Sequence, residues 1–158
     1  MPRPYVITVS SEKGGVGKTT LATNLAVYLK AICEDLPVTL LSFDNHFTVD
    51  RMFRLSADQA ELHVGHLFKE ADTLSLIRQG EYGVQIIPSC HNLNSFNPQA
   101  PDDGTLAEIL SKVNQEGIFI IDTCPILDPY TRNALYAADR VIVPIKDAPS
   151  LENCQHLA

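Results

Sequence analysis

A short stretch rich in glycine and lysine constrains the fold of this chain more than any other feature. The stretch runs Lys13-Gly14-Gly15-Val16-Gly17-Lys18-Thr19-Thr20. Residues 5–10 before it form an apolar run typical of a buried strand, and residues 18–33 after it have helical periodicity. At average composition such a string arises by accident in on the order of one in tens of thousands of chains this long. A glycine loop between a strand and a helix predicts a site that holds phosphate groups.

The chemistry of phosphate binding explains each residue type in this loop. Glycine lets the backbone adopt unusual dihedrals and approach a ligand closely. Successive N–H groups then form a nest for an anion, beside the positive end of the following helix. We expect Lys18 to place its charge on the β and γ phosphates, Thr19 to ligate Mg²⁺, and Thr20 to hydrogen-bond the α phosphate. The residues expected to bind the nucleotide are Gly14, Gly15, Val16, Gly17, Lys18, Thr19 and Thr20.

Five short apolar runs have the character of strands, and helical patterns separate them. The predicted strands are residues 5–10, 37–43, 84–87, 118–122 and 141–145. Their apolar residues are nearly continuous, which is typical of strands covered on both faces in a parallel sheet. The predicted helices are residues 18–33, 49–79, 104–115 and 130–138, with a further one from Pro149, and 88–103 is predicted to be a loop. This order predicts a doubly wound α/β fold with a mostly parallel sheet and helices on both faces.

The same patterns predict two local details. The first helix carries one apolar stripe, made of Leu21, Ala22, Leu25, Ala26, Leu29 and Ile32. Gly117 is expected to end the helix predicted over 104–115, because glycine readily takes the left-handed conformation found beyond helix ends.

Length and composition fit a single globular domain over residues 1–158. The net charge of −7 argues against attraction of nucleic acid by the overall field. No apolar run approaches the roughly 18 residues that cross a membrane, and the apolar start is too short for a signal peptide, so a cytoplasmic protein is expected. The four cysteines are scattered without a Cys-x-x-Cys pair, which favours free thiols.

Two aspartates end predicted strands. Asp44 follows the run 37–43, and Asp122 closes the run 118–122. Because ligands in open α/β sheets bind beyond the carboxyl ends of the strands, we expect both carboxylates to face one site for phosphate and metal. Such an arrangement suits phosphoryl chemistry, in which positioning and charge supply most of the catalysis. The alternative interpretation of each aspartate is a capping or turn residue.

The loop departs from the ordinary phosphate-loop pattern and resembles the deviant Walker motif of the ParA/MinD family. Glu12 stands where the ordinary pattern G-x-x-x-x-G-K-[ST] has its first glycine, and Lys13 adds a second lysine. The resemblance extends over most of residues 5–146, although it is weak between 51 and 103. It implies a P-loop NTPase-like fold that binds ATP and Mg²⁺, with adenine preferred through the family likeness alone. It further implies that Lys13 reaches the partner subunit's phosphates in a nucleotide-sandwich homodimer.

The resemblance also assigns roles at the strand ends. It implies that Asp122 is the Walker B aspartate that holds Mg²⁺, and that Asp44 orients or activates the attacking water. Two positions depart from the family pattern: Ser42 replaces the first acid of D-x-D, and Cys124 replaces the first proline of D-T-P-P. The predicted catalytic residues are therefore Lys13, Lys18, Asp44 and Asp122, and the predicted metal ligands are Thr19 and Asp122.

The function implied by the resemblance is a slow ATPase that switches between monomer and dimer in partition or cellular positioning. The resemblance also implies a partner activator protein and leaves DNA and membrane open as the partner surface. Family members usually extend further, so the chain is expected to lack the C-terminal part of the family fold. Three alternatives stay open: a nucleotide-dependent binding module with little hydrolysis, a metabolic or metal-delivery ATPase of the same superfamily, and a purely structural fragment.

Overall fold

The computed structural model describes residues 3–55 and 61–154, and the strands in this part of the chain form one sheet. They are β1 (Tyr5–Val9), β2 (Val38–Ser42), β3 (Arg78–Gln79), β4 (Gln85–Ile87), β5 (Ile118–Asp122) and β6 (Arg140–Ile142). The strand order is β3-β4-β2-β5-β1-β6. All neighbouring pairs are parallel except β3 and β4, which are antiparallel. The predicted doubly wound, mostly parallel α/β fold is confirmed.

Helices cover both faces of this sheet. They are α1 (Lys18–Ile32), α2 (Thr48–Met52), α3 (Leu93–Phe96), α4 (Thr105–Ser111), α5 (Pro129–Ala137) and α6 (Ala148–Asn153), and three short 3-10 turns lie between α2 and β4. None of the helices in the described ranges is long and apolar enough to span a bilayer.

The continuous apolar runs of the strands follow from this layering. Successive side chains of a strand point to opposite faces, so Ile120 packs in the cluster under α1, whereas Phe119 and Ile121 pack in the cluster on the opposite face with α4 and α5. Leu40 and Leu41 of β2 divide in the same way. Burial on both sides therefore removes the alternation that a one-sided sheet shows.

The first helix packs on the sheet through its smallest residues. Ala22 and Ala26 are fully buried, whereas Leu21, Leu25 and Leu29 are half-buried. The expectation that Ile32 belongs to the buried stripe is wrong, because Ile32 is exposed at the last turn. The alanine face lets the helix axis approach the sheet closely, which brings the start of α1 close to the ends of β1 and β5.

Several predicted boundaries need correction. The prediction of helix over 49–79 is wrong for most of the described residues: there α2 is the only α-helix, and it is followed by 3-10 turns at Val64–Phe68 and Thr73–Leu76 and by β3, which was not predicted. Residues 56–60 of that prediction lie outside the described part. Strand β6 corresponds to the strand predicted over 141–145, but it starts one residue earlier and is shorter. The loop predicted over 88–103 contains the single-turn helix α3.

Gly117 does not end a helix, because α4 already ends at Ser111. Its φ is +145°, and a Cβ at this position would lie 2.5 Å from the carbonyl oxygen of Pro37. Glycine is therefore needed where the segments entering β5 and β2 run against each other. A hydrogen bond joins the two strands at this point. The N–H of Ile118, the first residue of β5, donates to the carbonyl oxygen of Pro37, just before β2, at 2.9 Å.

Candidate functional site

The glycine loop leaves β1 and enters α1 with a backbone that only glycine adopts readily. Gly15 and Gly17 have φ values of +71° and +93°, where a side chain is strained. A Cβ added at Gly14, Gly15 or Gly17 would meet no atom within 4 Å. Protein packing therefore does not demand glycine at Gly14, and the space above the loop is open for a ligand.

The amides of this loop are free to bind an anion. Within the described ranges, no protein acceptor receives a hydrogen bond from the N–H groups of Gly14, Gly15, Val16 or Gly17. Helix α1 begins directly after them at Lys18, so its positive end points to the same space. Unpaired amides and a helix N-terminus together are what a phosphate group binds in proteins.

Lys18 lies buried across this loop. Its side chain is 7% exposed, and its Nζ donates to the carbonyl oxygen of Lys13 at 2.9 Å. Burial lowers the pKa of Lys18, while the charges of Asp122 and Asp44 oppose that shift. The charged ammonium of Lys18 is poorly hydrated, so a phosphate bound in the adjacent anion nest would stabilise it.

Asp122, the last residue of β5, has one bound oxygen and one free oxygen. Its Oδ2 accepts hydrogen bonds from Thr19 Oγ1 at 2.7 Å and from Ser42 Oγ at 3.1 Å. Its Oδ1 is buried without a partner among the described residues. Burial raises the pKa of Asp122 to about 6, against the opposing hydrogen bonds from Thr19 and Ser42.

A magnesium ion fits this donor set. Mg²⁺ prefers oxygen ligands and usually keeps several waters, and the site offers the Thr19 hydroxyl beside the free Oδ1 of Asp122. A cation there would also compensate the buried carboxylate. The hydroxyl of Ser10, at the end of β1, is a second buried oxygen without a partner in the part of the chain described.

Asp44 lies on the neighbouring strand tip. Strands β2 and β5 are adjacent, with Ser42 directly opposite Asp122. The Asp44 N–H donates to Ser42 Oγ at 3.1 Å, and its Oδ1 accepts the His46 N–H at 3.0 Å. The side chain of Asp44 is 23% exposed, so water reaches it. The structure thus brings Asp44 and Asp122 to one edge of the sheet, as expected from the parallel strands.

Lys13 makes a contact that the sequence does not predict. Its Nζ bonds both carboxylate oxygens of Asp147, at 2.7 and 2.6 Å. Asp147 is the N-cap of α6 and also accepts hydrogen bonds from the backbone N–H and the hydroxyl of Ser150. The hydrogen bonds from Lys13 and then Ser150 lower the pKa of Asp147. The only sequence signal for Asp147 was its position just before the predicted helix near Pro149, which gave no hint of Lys13.

Cys124 lies just beyond Asp122, in the segment that resembles the family switch. Its Sγ is 3.4 Å from Thr131 Oγ1 and 3.6 Å from Asp128 Oδ2. Burial raises the pKa of this thiol, which disfavours the thiolate form. All four cysteines are free thiols, as expected from their spacing. Cys124 therefore packs the segment between β5 and α5 and shows no feature of a nucleophile.

Comparison with known proteins identifies relatives of this chain. A family model described as an AAA domain matches residues 5–157. The chromosome-partitioning ATPase Soj of Thermus thermophilus is 30% identical over 142 residues, which are 89% of this chain and 54% of that protein. The chain spans about half the length of the curated relatives it matches, with 54% and 58% for two Soj proteins.

Two solved structures are similar over most of the chain. A plasmid partition protein from Borrelia burgdorferi B31 bound to AMPPNP is 28% identical, with a TM-score of 0.82 over 98% of this chain and 68% of that one. Cobyrinic acid a,c-diamide synthase from Mycobacterium smegmatis, with a bound ATP analog and magnesium, is 25% identical, with a TM-score of 0.80 over 90% of this chain and 60% of that one.

Proposed function

The chain belongs to the ParA/MinD-type P-loop ATPases, and we propose that it binds ATP with magnesium and acts as a nucleotide-dependent dimerisation switch. One observation carries the proposal. The open glycine cradle, buried Lys18, and the Thr19–Asp122 pair with its free oxygen meet at one point beyond the sheet. Among the described residues, the loop amides and Oδ1 of Asp122 have no partner, and Lys18 bonds a neutral carbonyl, so a magnesium–triphosphate would supply the missing charges and ligands.

The choice of ATP rests on the relatives. The Borrelia partition protein is bound to AMPPNP, and the Mycobacterium synthase to an ATP analog and magnesium. We carry adenine and magnesium over to this chain as part of the proposal.

Different residues of the chain have different roles in the proposed hydrolysis. The loop amides and Lys18 hold the β and γ phosphates, and Thr20 lies in the first turn of α1 toward the α phosphate. Magnesium, when bound by Thr19 and Asp122, supplies positive charge that offsets the charge developing on the phosphates. Asp44, partly exposed on the next strand tip, orients the attacking water and accepts its proton.

Dimer closure uses the second lysine. In the free chain Lys13 is held by Asp147, and both side chains are partly exposed, at 31% and 42%. Exposed ion pairs of this kind contribute little stability, so a phosphate of the partner subunit can replace the carboxylate. Hydrolysis removes that phosphate, and Lys13 returns to Asp147.

The biological purpose of the switch follows from the relatives and stays a proposal. Soj of Thermus thermophilus is a chromosome-partitioning ATPase, and the Borrelia protein is a plasmid partition protein. We propose partition or cellular positioning for this chain, with an activator protein that stimulates hydrolysis. DNA and membrane both stay open as the surface on which the dimer works.

The test measures ATP-dependent dimerisation by analytical ultracentrifugation together with ATP turnover. Asp44→Ala is expected to trap the ATP dimer and to lower turnover by about 100-fold or more, because a positioned base is lost. Lys13→Ala is expected to bind ATP without forming the dimer. Lys112→Ala, which removes a surface lysine of the exposed Glu108 pair, serves as the matched control and keeps wild-type behaviour. Dimerisation that ignores nucleotide contradicts the switch.

A second candidate function, phosphoryl transfer to a small molecule, is favoured by one cavity. It has a volume of about 290 Å³ and lies beyond Asp44, between the loops that follow β2, β4 and β5, with His91 and Cys124 in its walls. Cobyrinic acid a,c-diamide synthase, a similar structure that holds an ATP analog and magnesium, is named for a small-molecule product. Turnover per chain separates the two functions: it rises with protein concentration for a dimerisation switch and stays constant for a transferase whose site lies within one chain.

A further inference from the structure

Ser42 lies between the carboxylate of Asp122 and the backbone of Asp44, the two predicted catalytic acids. It is the last residue of β2, stands opposite Asp122 in the parallel register, and is 3% exposed. In the resemblance to the ParA/MinD family this position belongs to the first acid of D-x-D. The side chain here carries no charge, so its contribution must come from hydrogen bonds.

The Ser42 hydroxyl contacts both aspartates at once. It accepts a hydrogen bond from the Asp44 N–H at 3.1 Å and donates its proton to Asp122 Oδ2 at 3.1 Å. A serine hydroxyl has one donor and two acceptor positions, so both bonds form together. The hydroxyl therefore links the backbone that carries Asp44 to the carboxylate of Asp122.

The same bond fixes which oxygen of Asp122 remains available. Oδ2 accepts bonds from Ser42 and Thr19, whereas Oδ1 has no partner among the described residues. Thr19 is itself a predicted magnesium ligand, so its hydroxyl would serve the ion as well as Oδ2. Ser42 holds Oδ2 from the neighbouring strand and is not a predicted magnesium ligand.

We propose that Ser42 is a positioning residue, which aims Oδ1 of Asp122 at the magnesium shell and sets the backbone of Asp44 for the attacking water. This role rests on the proposed function. Partners that orient a metal-binding carboxylate commonly matter for metal affinity and activity even though they do not touch the metal. The hydroxyl supplies this orientation without adding a second negative charge beside buried Asp122, where like charges disfavour each other's ionisation.

The test compares Ser42→Ala and Ser42→Thr with the wild-type 158-residue chain. Binding of a fluorescent ATP analogue is followed while magnesium is titrated, and ATP turnover is measured at saturating magnesium. Ser42→Ala is expected to raise the half-saturating magnesium concentration and to lower kcat, each by about 10-fold, while the KM for ATP changes little. Ser42→Thr keeps the hydroxyl and is expected to restore most of both values.

Ser89→Ala provides a matched control. Ser89 is also a buried serine, 4% exposed, and its hydroxyl donates to the buried carboxylate of Asp50, which lies outside the phosphate site. This variant is expected to lose thermal stability about as much as Ser42→Ala while keeping the magnesium dependence of the wild type.

The outcomes separate the positioning role from the proposed function. Unchanged magnesium dependence and turnover in Ser42→Ala overturn the positioning role and leave the proposed function standing. An equal shift in Ser89→Ala overturns it too, because the effect then reflects general loosening. A wild-type chain that binds no nucleotide at any magnesium concentration overturns the proposed function, and the role of Ser42 with it.

Discussion

The two lysines of the phosphate loop occupy opposite environments, although they are five residues apart. Lys18 is buried and held by a carbonyl of its own loop, which suits a group that serves the nucleotide of its own chain. Lys13 is partly exposed and paired with a carboxylate at the start of α6. A pair that opens at little cost suits a group that has to change partners.

Neutralising Asp147 is expected to favour the dimer. In Asp147→Asn the amide oxygen still caps α6, because asparagine caps helices as well as aspartate does, but the negative charge that holds Lys13 is gone. The ATP-dependent dimer should strengthen by roughly two- to fivefold, the scale of an exposed ion pair, as measured by sedimentation equilibrium.

The control for this prediction is Ser150→Ala. It removes the hydroxyl that bonds Asp147 and leaves the ion pair in place, so dimerisation should stay at the wild-type value. A dimer that is weakened or unchanged in Asp147→Asn would show that the pair does not compete with closure.

At the residue level, residues that belong to local motifs can be predicted from the sequence, whereas residues that act through tertiary contacts cannot. The positions of Lys18, Thr19 and Asp122 at one edge of the sheet were predictable, because a loop between a strand and a helix, and an acid at a strand end, have fixed places in this fold. The link from Lys13 to Asp147 joins positions 134 residues apart. The double hydrogen bond of Ser42 depends on the register of β2 against β5, which no local pattern specifies.

The site is assembled by four elements that the parallel sheet brings together. Strands β1, β2 and β5 end at one edge, and α1 starts there because it follows β1 directly. Strand β5 lies between β1 and β2, so Asp122 at its tip lies between the loop on one side and Asp44 on the other. Parallel strand order therefore places Asp122, the proposed metal ligand, at the centre of the site.

Elements with strong periodicity were predictable, and the region between β2 and β4 was not. The predicted first, second and fourth strands and the first helix agree with the structure to within about two residues at each end. The segment 49–79 contains apolar residues without regular spacing, and tertiary packing decides its form: Val64, Leu67 and Leu76 of its 3-10 turns enter the core beside the sheet. Strand β3 has two residues and too little pattern to detect.

The ion pair between Arg3 and Asp139, next to β1 and β6, should make the free energy of unfolding depend on pH in acidic solution. Arg3 bonds both carboxylate oxygens of Asp139, at 2.6 and 3.0 Å, and the Val6 N–H donates to the same group at 2.9 Å. The hydrogen bond from Arg3 lowers the pKa of Asp139. A carboxyl with a lowered folded pKa stabilises the protein above its unfolded pKa and loses that contribution as pH falls through the folded value.

Asp139→Asn is therefore expected to cost about 1 kcal/mol of unfolding free energy at pH 7, the upper range for a partly exposed pair. The difference from wild type should begin to shrink as pH falls below about 4 and should disappear only below the lowered folded pKa of Asp139, as followed by urea denaturation. The control Glu108→Gln breaks the fully exposed pair with Lys112 on α4 and should have a much smaller effect. A difference that is constant from pH 7 to pH 3 would rule out the charge as its source.

At the scale of the whole molecule, the matched span includes the nucleotide site but only about half of the curated relatives' length. The net charge of −7 disfavours binding to DNA through the overall field, so a DNA-binding role requires a local basic patch.

Isothermal titration of ATP into the chain with magnesium present tests the central claim most directly. We expect one site per chain with a dissociation constant on the order of 1–100 μM, dependence on magnesium, and no binding by Lys18→Ala. The titrations are made at two temperatures, because the binding enthalpy can pass through zero at one of them. A wild-type chain that gives no heat at either temperature, with ATP or with GTP, would contradict the account.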